Sequence, residues 1–431
     1  MSSSYVEALK REDERIKAIF DVEAETVEQM GTVVMDDPLP AFSKLLAQAP
    51  VMRGTASELI GYDAAAGGFY FPGREHYTAL SFAAVSRGLI ENTLFSSHVY
   101  YLSGLPTFMG ETILNKVGAE HRRYRDPIQP MFSPDAAASW WSEAIIDETV
   151  EALIGNIEGR GEADLFLELC ARMPVHVVSA GFGLDADEII DFRLALLESS
   201  RHNATDAEKM AGVEDTKRIL SRVIAERRKA PKNDIISKLI AAEIAVEDGA
   251  SRPFTDEEII SHCRLIVLAG GGTTWRQLGI TLFALLDNPD QLEALRADRE
   301  RLPRVVLESA RWHATDLVFP RLVEEDVELD GVALPKGAIL HLNLGSANRD
   351  PKRWENPDKF DIFRPVQRAL AFGGGPHSCL GQHVSRQEMV TALNAVLDRL
   401  PNLRWDPSKP HPRMVGGLMQ RGPTALPVRF G

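Results

Sequence analysis

The chain has 431 residues, of which 44% are hydrophobic, and carries a formal net charge of -14 at pH 7. A chain of this length can bury a large core and could form two or three domains. The acidic balance argues against general nucleic-acid binding, because recognition of phosphates usually requires a basic surface.

The N-terminal residues and the cysteines set two further limits. The first thirty residues, including the charged run LKREDERIK, show neither a secretory signal nor an apolar segment that could span a bilayer. We therefore expect a cytoplasmic protein. The three cysteines, Cys170, Cys263 and Cys379, form no CxxC zinc motif and are too few for a disulfide framework.

The first third of the chain mixes strand and helix signals. Residues 65–85, around GGFYFPGREHY, combine aromatic alternation with turn glycines and predict short strands before Tyr77. The segment GAEHRRYRDPIQPMF then places His121 and Arg125 four residues apart, on one face of a helix. On spacing alone, such a pair is most simply a solvated helix face. From Trp140 to Gly249 helical apolar spacing dominates, and no catalytic grouping stands out.

The segment from Phe254 to Leu286 predicts one long helix. Thr255 and Glu258 form a capping box, and Asn288-Pro289 ends the pattern, so the helix has about thirty residues and is roughly 45 Å long. Its middle is apolar on nearly all sides and should pass through the core. The centre nevertheless contains three consecutive glycines, each costing about 1 kcal/mol relative to alanine. We expect the helix to widen there so that something can approach its backbone; close packing of a neighbouring helix is the alternative.

The next segments predict a helix, small strands and a loop. Glu308 and Arg311 lie three residues apart on an apparent helix and can form an ion pair. The alternation in DVELDGVALPKGAILHL predicts small antiparallel strands, and a second small strand region is expected around GGLMQRGPTALPVRF. The polar, aromatic loop WENPDKFDIFRP leads into the stretch AFGGGPHSCLGQHVSR.

This glycine-rich stretch suits a metal-bound thiolate. A lone cysteine, Cys379, follows three glycines, a proline and a histidine and precedes an apolar helix that begins near Leu380 and ends at Leu400. A helix N-terminus favours the thiolate anion, and glycines allow the backbone to approach the sulfur. Two alternatives are an inert core cysteine, as we expect for Cys170 and Cys263, and a cysteine hydrolase that uses His377 or His383.

Several segments, in order and spacing, resemble the cytochrome P450 family from about residue 50 to the C-terminus. FGGGPHSCLGQHVSR is similar to its haem-binding loop, ESAR to its ExxR pair and AGGGTT to its oxygen-binding helix motif. HRRYR resembles its haem-contacting helix, and FDIFRP the loop whose arginine, here Arg364, joins the Glu308-Arg311 network. The absence of a membrane anchor makes the chain resemble the soluble bacterial members.

The resemblance implies a fold and a cofactor. The fold would be mainly α with small β-sheets, with haem b buried between the long oxygen-binding helix and the cysteine-ligand helix. Residues 1–45 would form an N-terminal extension with the first helix, and residues 46–431 a single catalytic domain. Cys379 would be the axial iron ligand, since a thiolate donates electron density that favours O–O cleavage. The other residues implied to contact haem are His121, Arg125, Arg321, His377, Phe372, Gly373, Gly381, Ala269 and Gly270.

The resemblance also assigns the other site residues. Thr273, with Gly272 and Thr274, would handle oxygen and protons, although the family usually has an Asp or Glu where this chain has Gly272. Proton supply would then come from water, the substrate or another side chain, and coupling of oxygen activation to product could be lower. Glu308, Arg311 and Arg364 would maintain the fold near the haem. An apolar substrate pocket would be lined by Leu265, Ala269, Gly270, Thr273, Leu317, Val318, Phe319, Leu418 and Met419.

The implied activity is monooxygenation driven by NAD(P)H. Ferredoxin and a ferredoxin reductase would deliver electrons, one oxygen atom of O2 would enter a hydrophobic small molecule, and the protein would act as a monomer. Arg122, Arg123 and Arg386 could form a basic patch for an acidic ferredoxin. Two alternatives remain: a peroxygenase that uses hydrogen peroxide, which the missing acid would suit, and a non-catalytic haem-binding protein.

Overall fold

The computed structural model describes residues 20–184, 186–246 and 249–431, so the charged run LKREDERIK lies outside the described residues. The described part is mainly helical. Its α-helices are α1 (Val22–Ala24), α2 (Leu39–Leu46), α3 (Ala56–Leu59), α4 (Phe82–Ile90), α5 (Val99–Leu102), α6 (Leu105–Met109), α7 (Gly118–Ile128), α8 (Pro134–Ala136), α9 (Asp147–Gly155), α10 (Arg172–Gly181), α11 (Ala186–Ser200), α12 (Asp206–Lys229), α13 (Ile235–Ala241), α14 (Asp256–Leu286), α15 (Pro289–Ala297), α16 (Leu302–Trp312), α17 (Leu344–Ala347) and α18 (Gln382–Arg399). Wider π-helical turns cover Glu25–Gln29, Ala137–Ile146 and Phe166–Cys170, and 3-10 turns cover Gln129–Phe132, Arg299–Arg301 and Gly375–His377.

The strands of the described part form small sheets beside the helices. They are β1 (Val51–Arg53), β2 (His76–Ala79), β3 (Phe95–Ser96), β4 (Glu162–Asp164), β5 (Glu243–Ala245), β6 (Ser251–Pro253), β7 (Val318–Val323), β8 (Val327–Leu329), β9 (Val332–Leu334), β10 (Ile339–Asn343), β11 (Arg404–Trp405), β12 (Met414–Val415), β13 (Gly422–Pro423) and β14 (Pro427–Arg429). The largest sheet has the order β1-β2-β10-β7-β3, in which β10 pairs parallel with β2 and antiparallel with β7.

The strand predictions have mixed outcomes. The antiparallel pair β8-β9 and the C-terminal strands β12 to β14 are confirmed. The prediction of strands before Tyr77 is wrong: residues 61–74 form turns, and strand β2 starts at His76. Glycine residues 67, 68 and 73 break this segment, and aromatic alternation alone does not supply the partner strand that a sheet requires.

Helix α14 passes through the core as predicted. It has 31 residues, and at its N-terminus Thr255 and Glu258 form the complete capping box. The predicted widening is wrong, because the helix keeps α-helical geometry through all three glycines. The glycines instead accommodate neighbours: a β-carbon at Gly271 would lie 2.5 Å from Arg193 Nη1, and one at Gly270 would lie 3.0 Å from Val178 Cγ2. Close packing of a neighbouring helix, the alternative, explains these two positions.

The described part of the predicted N-terminal extension packs against the rest of the chain. Phe20 stacks edge-on against Trp275 of α14, with ring centroids 5.0 Å apart. The fully buried Arg421 donates hydrogen bonds to the carbonyl oxygens of Met35 and Asp36. Residues before position 45 thus contact residues after it. The predicted division of the chain at residue 45 stays a prediction. Among the described residues, no helix combines the length and hydrophobicity that crossing a membrane would require.

Candidate active site

The loop before α18 presents Cys379 to the interior. Gly373 and Gly375 adopt left-handed φ values of 69° and 65°, which glycine reaches without strain. A β-carbon at Gly375 would lie 2.4 Å from the carbonyl oxygen of Leu89, so this position requires glycine for space as well. The Cys379 backbone N–H donates to the Phe372 carbonyl, with N and O 2.9 Å apart, and this bond closes the loop.

Cys379 is exposed, although burial raises the pKa of its thiol. The two observations agree if the sulfur is surrounded by protein and faces an internal space. Burial, the largest effect, and the charge of Asp316 raise this pKa, whereas the N–H groups of Gly381 and Gln382 and the charge of Arg125 lower it. Gly381 caps α18, which starts at Gln382 rather than near Leu380. The helix N-terminus thus favours the thiolate as expected, but burial outweighs it, so a bound cation is needed to hold the sulfur deprotonated.

The other two cysteines behave as the core residues that the sequence predicts. Cys170 and Cys263 are both fully buried, and burial raises the pKa of each thiol. Of the three cysteines in the chain, Cys379 is the one that faces open space.

Four predicted cofactor contacts lie around this loop. Arg125 of α7 donates through Nη2 to the Ser378 carbonyl at 2.9 Å and through Nε to Gln129 Oε1 at 2.7 Å. The rings of His121 and His377 lie 4.2 Å apart between centroids. Burial, and then the charge of Arg125, lower the pKa of His121 to about 4, so both of these imidazoles are neutral near pH 7. Arg321 lies buried on β7 and donates to the Pro320 carbonyl.

These groups fit an anionic ligand. Arg125 and Arg321 are 6% and 5% exposed, and neither forms an ion pair within the described residues. Both ring nitrogens of His121 and the Nε of Arg321 are buried, and they have no hydrogen-bond partner among the described residues. Burying cations and N–H donors without acceptors is costly, so the arrangement requires carboxylates from a ligand. The two propionates of a haem bound by Cys379 would meet that requirement.

The middle of α14 carries an exposed face. Ala269 is exposed although most residues around it are buried, and Gly270 and Thr273 are partly exposed. The Thr273 hydroxyl donates to the Ala269 carbonyl at 2.9 Å. A β-carbon at Gly272 would have no neighbour within 4 Å, so this position also borders open space. Small residues on this face leave room for a flat ligand next to the helix.

Thr274 does not share this face. It is 3% exposed, and its hydroxyl bonds to Ser385 Oγ of α18 at 3.1 Å. The structure therefore corrects its assignment as a residue that handles oxygen: Thr274 links α14 to the cysteine-bearing helix. Consecutive helical residues point about 100° apart, so Thr273 and Thr274 could not both face the same space.

The ion-pair network predicted for the second half of the chain is formed. Arg311 donates to both oxygens of Glu308, at 2.7 and 2.9 Å, and Arg364 Nε donates to Glu308 Oε1 at 3.1 Å. Arg311 also donates to the carbonyl oxygens of Asn348, Pro357 and Lys359. The network fixes the loop around residues 348–364 to α16, ahead of the cysteine loop.

The predicted pocket residues divide into two groups. The backbone N–H of Leu317 donates to the Leu418 carbonyl at 2.9 Å, so the two segments meet as expected. Leu317, Val318 and Leu418 are nevertheless at most 3% exposed and belong to a core cluster with residues of α2. These three side chains pack against α2 in this structure, and their assignment to the pocket stays a prediction. The partly exposed members are Leu265, Phe319 and Met419, together with Gly270 and Thr273.

Sequence reasoning passed over two charged groups near this space. Asp316, between α16 and β7, is partly exposed although burial raises the pKa of its carboxyl. Arg276 of α14 is fully buried, donates to the Gly272 carbonyl and pairs with Glu25. An acid inside the apolar run TDLVFP was a signal for Asp316. The pairing with Glu25 joins residues 251 positions apart, which no local pattern predicts.

An exposed cysteine before a helix that packs against the small-residue helix α14, beside buried arginines that lack carboxylates, is the arrangement of a haem-thiolate protein. The model of the family named Cytochrome P450 matches residues 192–425. Cytochrome P450 107B1 from Saccharopolyspora erythraea is 33% identical over 76% of this chain and 79% of its own. Cytochrome P450 monooxygenase PikC from Streptomyces venezuelae is 29% identical over 93% of each chain. The crystal structure of CYP109E1 from Bacillus megaterium in complex with testosterone matches with a TM-score of 0.77 and 26% identity, over 92% of this chain and 99% of that one.

The chain belongs to the cytochrome P450 family. The fold prediction, mainly α with small β-sheets, is confirmed, as are the haem cofactor with an axial cysteine thiolate and the class of activity. The protein is a haem-thiolate monooxygenase that requires O2, a substrate and an external electron donor.

Proposed function

We propose that this monooxygenase hydroxylates a mainly apolar small molecule, using electrons from NAD(P)H that a ferredoxin reductase and a ferredoxin deliver. It would act as a monomer in the cytoplasm. The observation that carries the proposal is an exposed thiol, Cys379, together with the exposed Ala269 on the small-residue face of α14, the helix whose Thr274 bonds Ser385 of the cysteine-bearing helix. CYP109E1, which crystallised with testosterone, supports a hydrophobic substrate of comparable kind, such as a steroid, terpenoid or aromatic compound.

In this proposal each group around the space holds one part of the cofactor. Cys379 supplies the axial sulfur, with Gly373, Phe372 and Gly381 shaping its loop. Arg125, Arg321, His121 and His377 hold the propionates through charge-assisted and neutral hydrogen bonds. Ala269 and Gly270, which have small or no side chains, would leave room for the ring.

Glu308, Arg311 and Arg364 are positioning residues in this proposal. They act through the loops of residues 348–364 and do not touch the cofactor themselves. Since Glu308 binds both arginines, loss of this carboxylate would release two loop anchors together.

When bound, haem supplies the oxygen activation that no protein side chain can perform. Thr273 supports that chemistry as a hydrogen-bond donor on the inner face of α14. Its hydroxyl, bonded to the Ala269 carbonyl in this structure, can rotate to donate into the space instead. Because Gly272 carries no acid, protons reach the space through water or through another side chain. The space beside Gly272, where a β-carbon would meet no atom within 4 Å, can hold such water.

The electron donor would dock near the cysteine loop. Arg122 is exposed, Arg123 and Arg386 are half-buried, and none of the three forms an ion pair within the described residues. A cleft of about 380 Å³ beside the loop is lined by residues that include Leu307, Ala310 and Phe372. Unpaired arginines and a cleft beside the cysteine loop suit an acidic ferredoxin surface.

A second candidate is hydrogen peroxide as the oxidant, which the glycine at position 272 favours because peroxide brings its own protons. Turnover with peroxide in the absence of ferredoxin and reductase would support it. A cysteine hydrolase is disfavoured by the site, since His377 bonds Ser97 Oγ at 3.4 Å and burial, then His121, lower its pKa to about 2. An imidazole with that pKa is too weak a base to activate a thiol at neutral pH.

The test is the absorption spectrum of the reduced protein with carbon monoxide. We expect the red-shifted Soret band of a thiolate-ligated haem in the wild type. Cys379→Ser should lose the red shift, whereas Cys263→Ser, a buried control, should keep it. A wild-type spectrum without the shift would overturn the assignment of Cys379.

A further inference from the structure

The backbone around Asp316 is fixed to two other elements. The Thr315 N–H donates to Gln277 Oε1 of α14 at 3.2 Å, and the Thr315 hydroxyl donates to the Arg421 carbonyl at 3.0 Å. On the other side of Asp316, the Leu317 N–H donates to the Leu418 carbonyl at 2.9 Å. The position of the carboxyl group is therefore built into the fold rather than left to a free loop.

The anchoring places Asp316 next to the reactive face of α14. Gln277 lies four residues after Thr273 and so on the same helix face, about one turn or 5.4 Å further along. Thr273 is partly exposed. The backbone that carries Asp316 is therefore bonded to the side of α14 on which Thr273 lies.

One oxygen of the carboxyl group is bound and the other is not. Oδ1 accepts a hydrogen bond from the Gln420 backbone N–H at 2.8 Å. Gln420 adopts a left-handed φ of 58°, which is uncommon for a non-glycine residue and turns this N–H toward Asp316. No described residue donates to Oδ2 or forms an ion pair with Asp316.

The surroundings do not neutralise this carboxyl group. Leu317 and Leu418, which flank it, are apolar and at most 1% exposed. The nearby cation Arg276 already pairs with Glu25 and the Gly272 carbonyl. The side-chain oxygen of Gln420 is also buried without a partner in the described residues, so a second acceptor adjoins the carboxylate. Asp316 is partly exposed, although burial raises the pKa of its carboxyl group.

We propose that Asp316 is a specificity-determining residue that binds a positively charged nitrogen of the substrate. The preferred substrate would then be a mainly apolar molecule that carries one basic amine. This inference rests on the proposed function and narrows its substrate class. A cation is the partner that a partly desolvated carboxylate oxygen lacks here, and fixing the amine would determine which carbon lies beside Thr273.

The experiment compares ligand binding by the haem-loaded protein and its Asp316→Asn variant. Asparagine keeps an oxygen acceptor for the Gln420 N–H, so the fold should be retained. The probes are dodecyltrimethylammonium and dodecanoate, which have equal chain length and opposite charge. The quaternary nitrogen has no lone pair and cannot bind iron. Dissociation constants are measured by equilibrium dialysis, independently of turnover.

We expect the wild type to bind the cation more tightly than the anion. Asp316→Asn should weaken cation binding about tenfold, which is typical of losing one close charge pair, and should not weaken dodecanoate binding. Asp290→Asn is the matched control, since it removes the same charge from an exposed site at the start of α15. It should change neither dissociation constant.

Two results would overturn the inference: equal binding of both probes by the wild type, or a loss in Asp316→Asn that is the same for both. The spectrum of the reduced, carbon monoxide-bound protein separates this failure from failure of the proposed function. If the red-shifted band is present and the preference for the cation is absent, the substrate inference alone is wrong. If the band is absent from the wild type, the proposed function is wrong as well.

Discussion

Glu308 is the acceptor on which the buried ion-pair network depends, so its neutralisation gives a sharp test. The side chains of Arg311 and Arg364 are 2% and 10% exposed, and both donate to this carboxylate. The backbone N–H of Asp361 donates to Glu308 Oε1 at 3.0 Å, and this oxygen also accepts from Arg364 Nε. Glu308→Gln keeps the shape of the side chain but leaves two largely buried guanidinium groups without their counter-ion.

The expected cost follows from what remains bound. Removing one partner of a buried pair destabilises a protein by about 3–5 kcal/mol. Arg311 retains three carbonyl acceptors, on Asn348, Pro357 and Lys359, which hold the guanidinium in place. We therefore expect the lower end of that range, about 3 kcal/mol. Urea unfolding of the haem-loaded protein, followed by circular dichroism, measures this loss.

Glu91→Gln is the matched control. Its partner Arg87 lies 3.0 Å away on the surface of α4, and the two side chains are 38% and 41% exposed. An exposed pair at this helical spacing contributes about 0.3–0.5 kcal/mol. If Glu308→Gln lowered the free energy of unfolding by less than 1 kcal/mol more than Glu91→Gln, the reasoning about the buried network would be refuted.

Three further predictions concern proton supply, electron delivery and acid stability. Gly272→Asp should raise the product formed per NADH relative to Gly272→Asn, because both side chains fit without a clash but only the carboxyl group can supply protons. Unchanged coupling and rate would show that the missing acid is irrelevant. Charge reversal at Arg122 and Arg123 should raise the ferredoxin concentration needed for half-maximal turnover more than reversal at the exposed Arg413, and no change would exclude this docking site. Burial opposes ionisation of Glu258, but bonds from Arg252, Thr255 and Tyr124 lower its pKa to about 2. Since this pKa lies below the ordinary value of 4.5, the stabilisation is present at neutral pH and is lost as the pH falls from about 5 toward 2. Glu258→Gln should thus lower the unfolding free energy at pH 7 and flatten its decline in acid; an unchanged acid profile would contradict this.

The sequence by itself determined the features whose signals are local. Thr255 and Glu258 bound a helix because a capping box involves residues within one turn. The spacing of Glu308 and Arg311 allowed the ion pair because residues three apart on a helix are neighbours. The order of the glycine, cysteine and threonine motifs was enough to indicate the family, and with it the fold and the cofactor.

The tertiary structure decided which side of each element faces the internal space. Thr273 and Thr274 are indistinguishable in the motif, yet one borders the space and the other bonds Ser385. Leu317 became a core residue because α2, almost three hundred positions earlier in the chain, covers it. Asp316 gained its place through bonds to α14 and to Gln420. Burial and long-range contact depend on how distant segments pack, and periodicity within one segment does not contain that information.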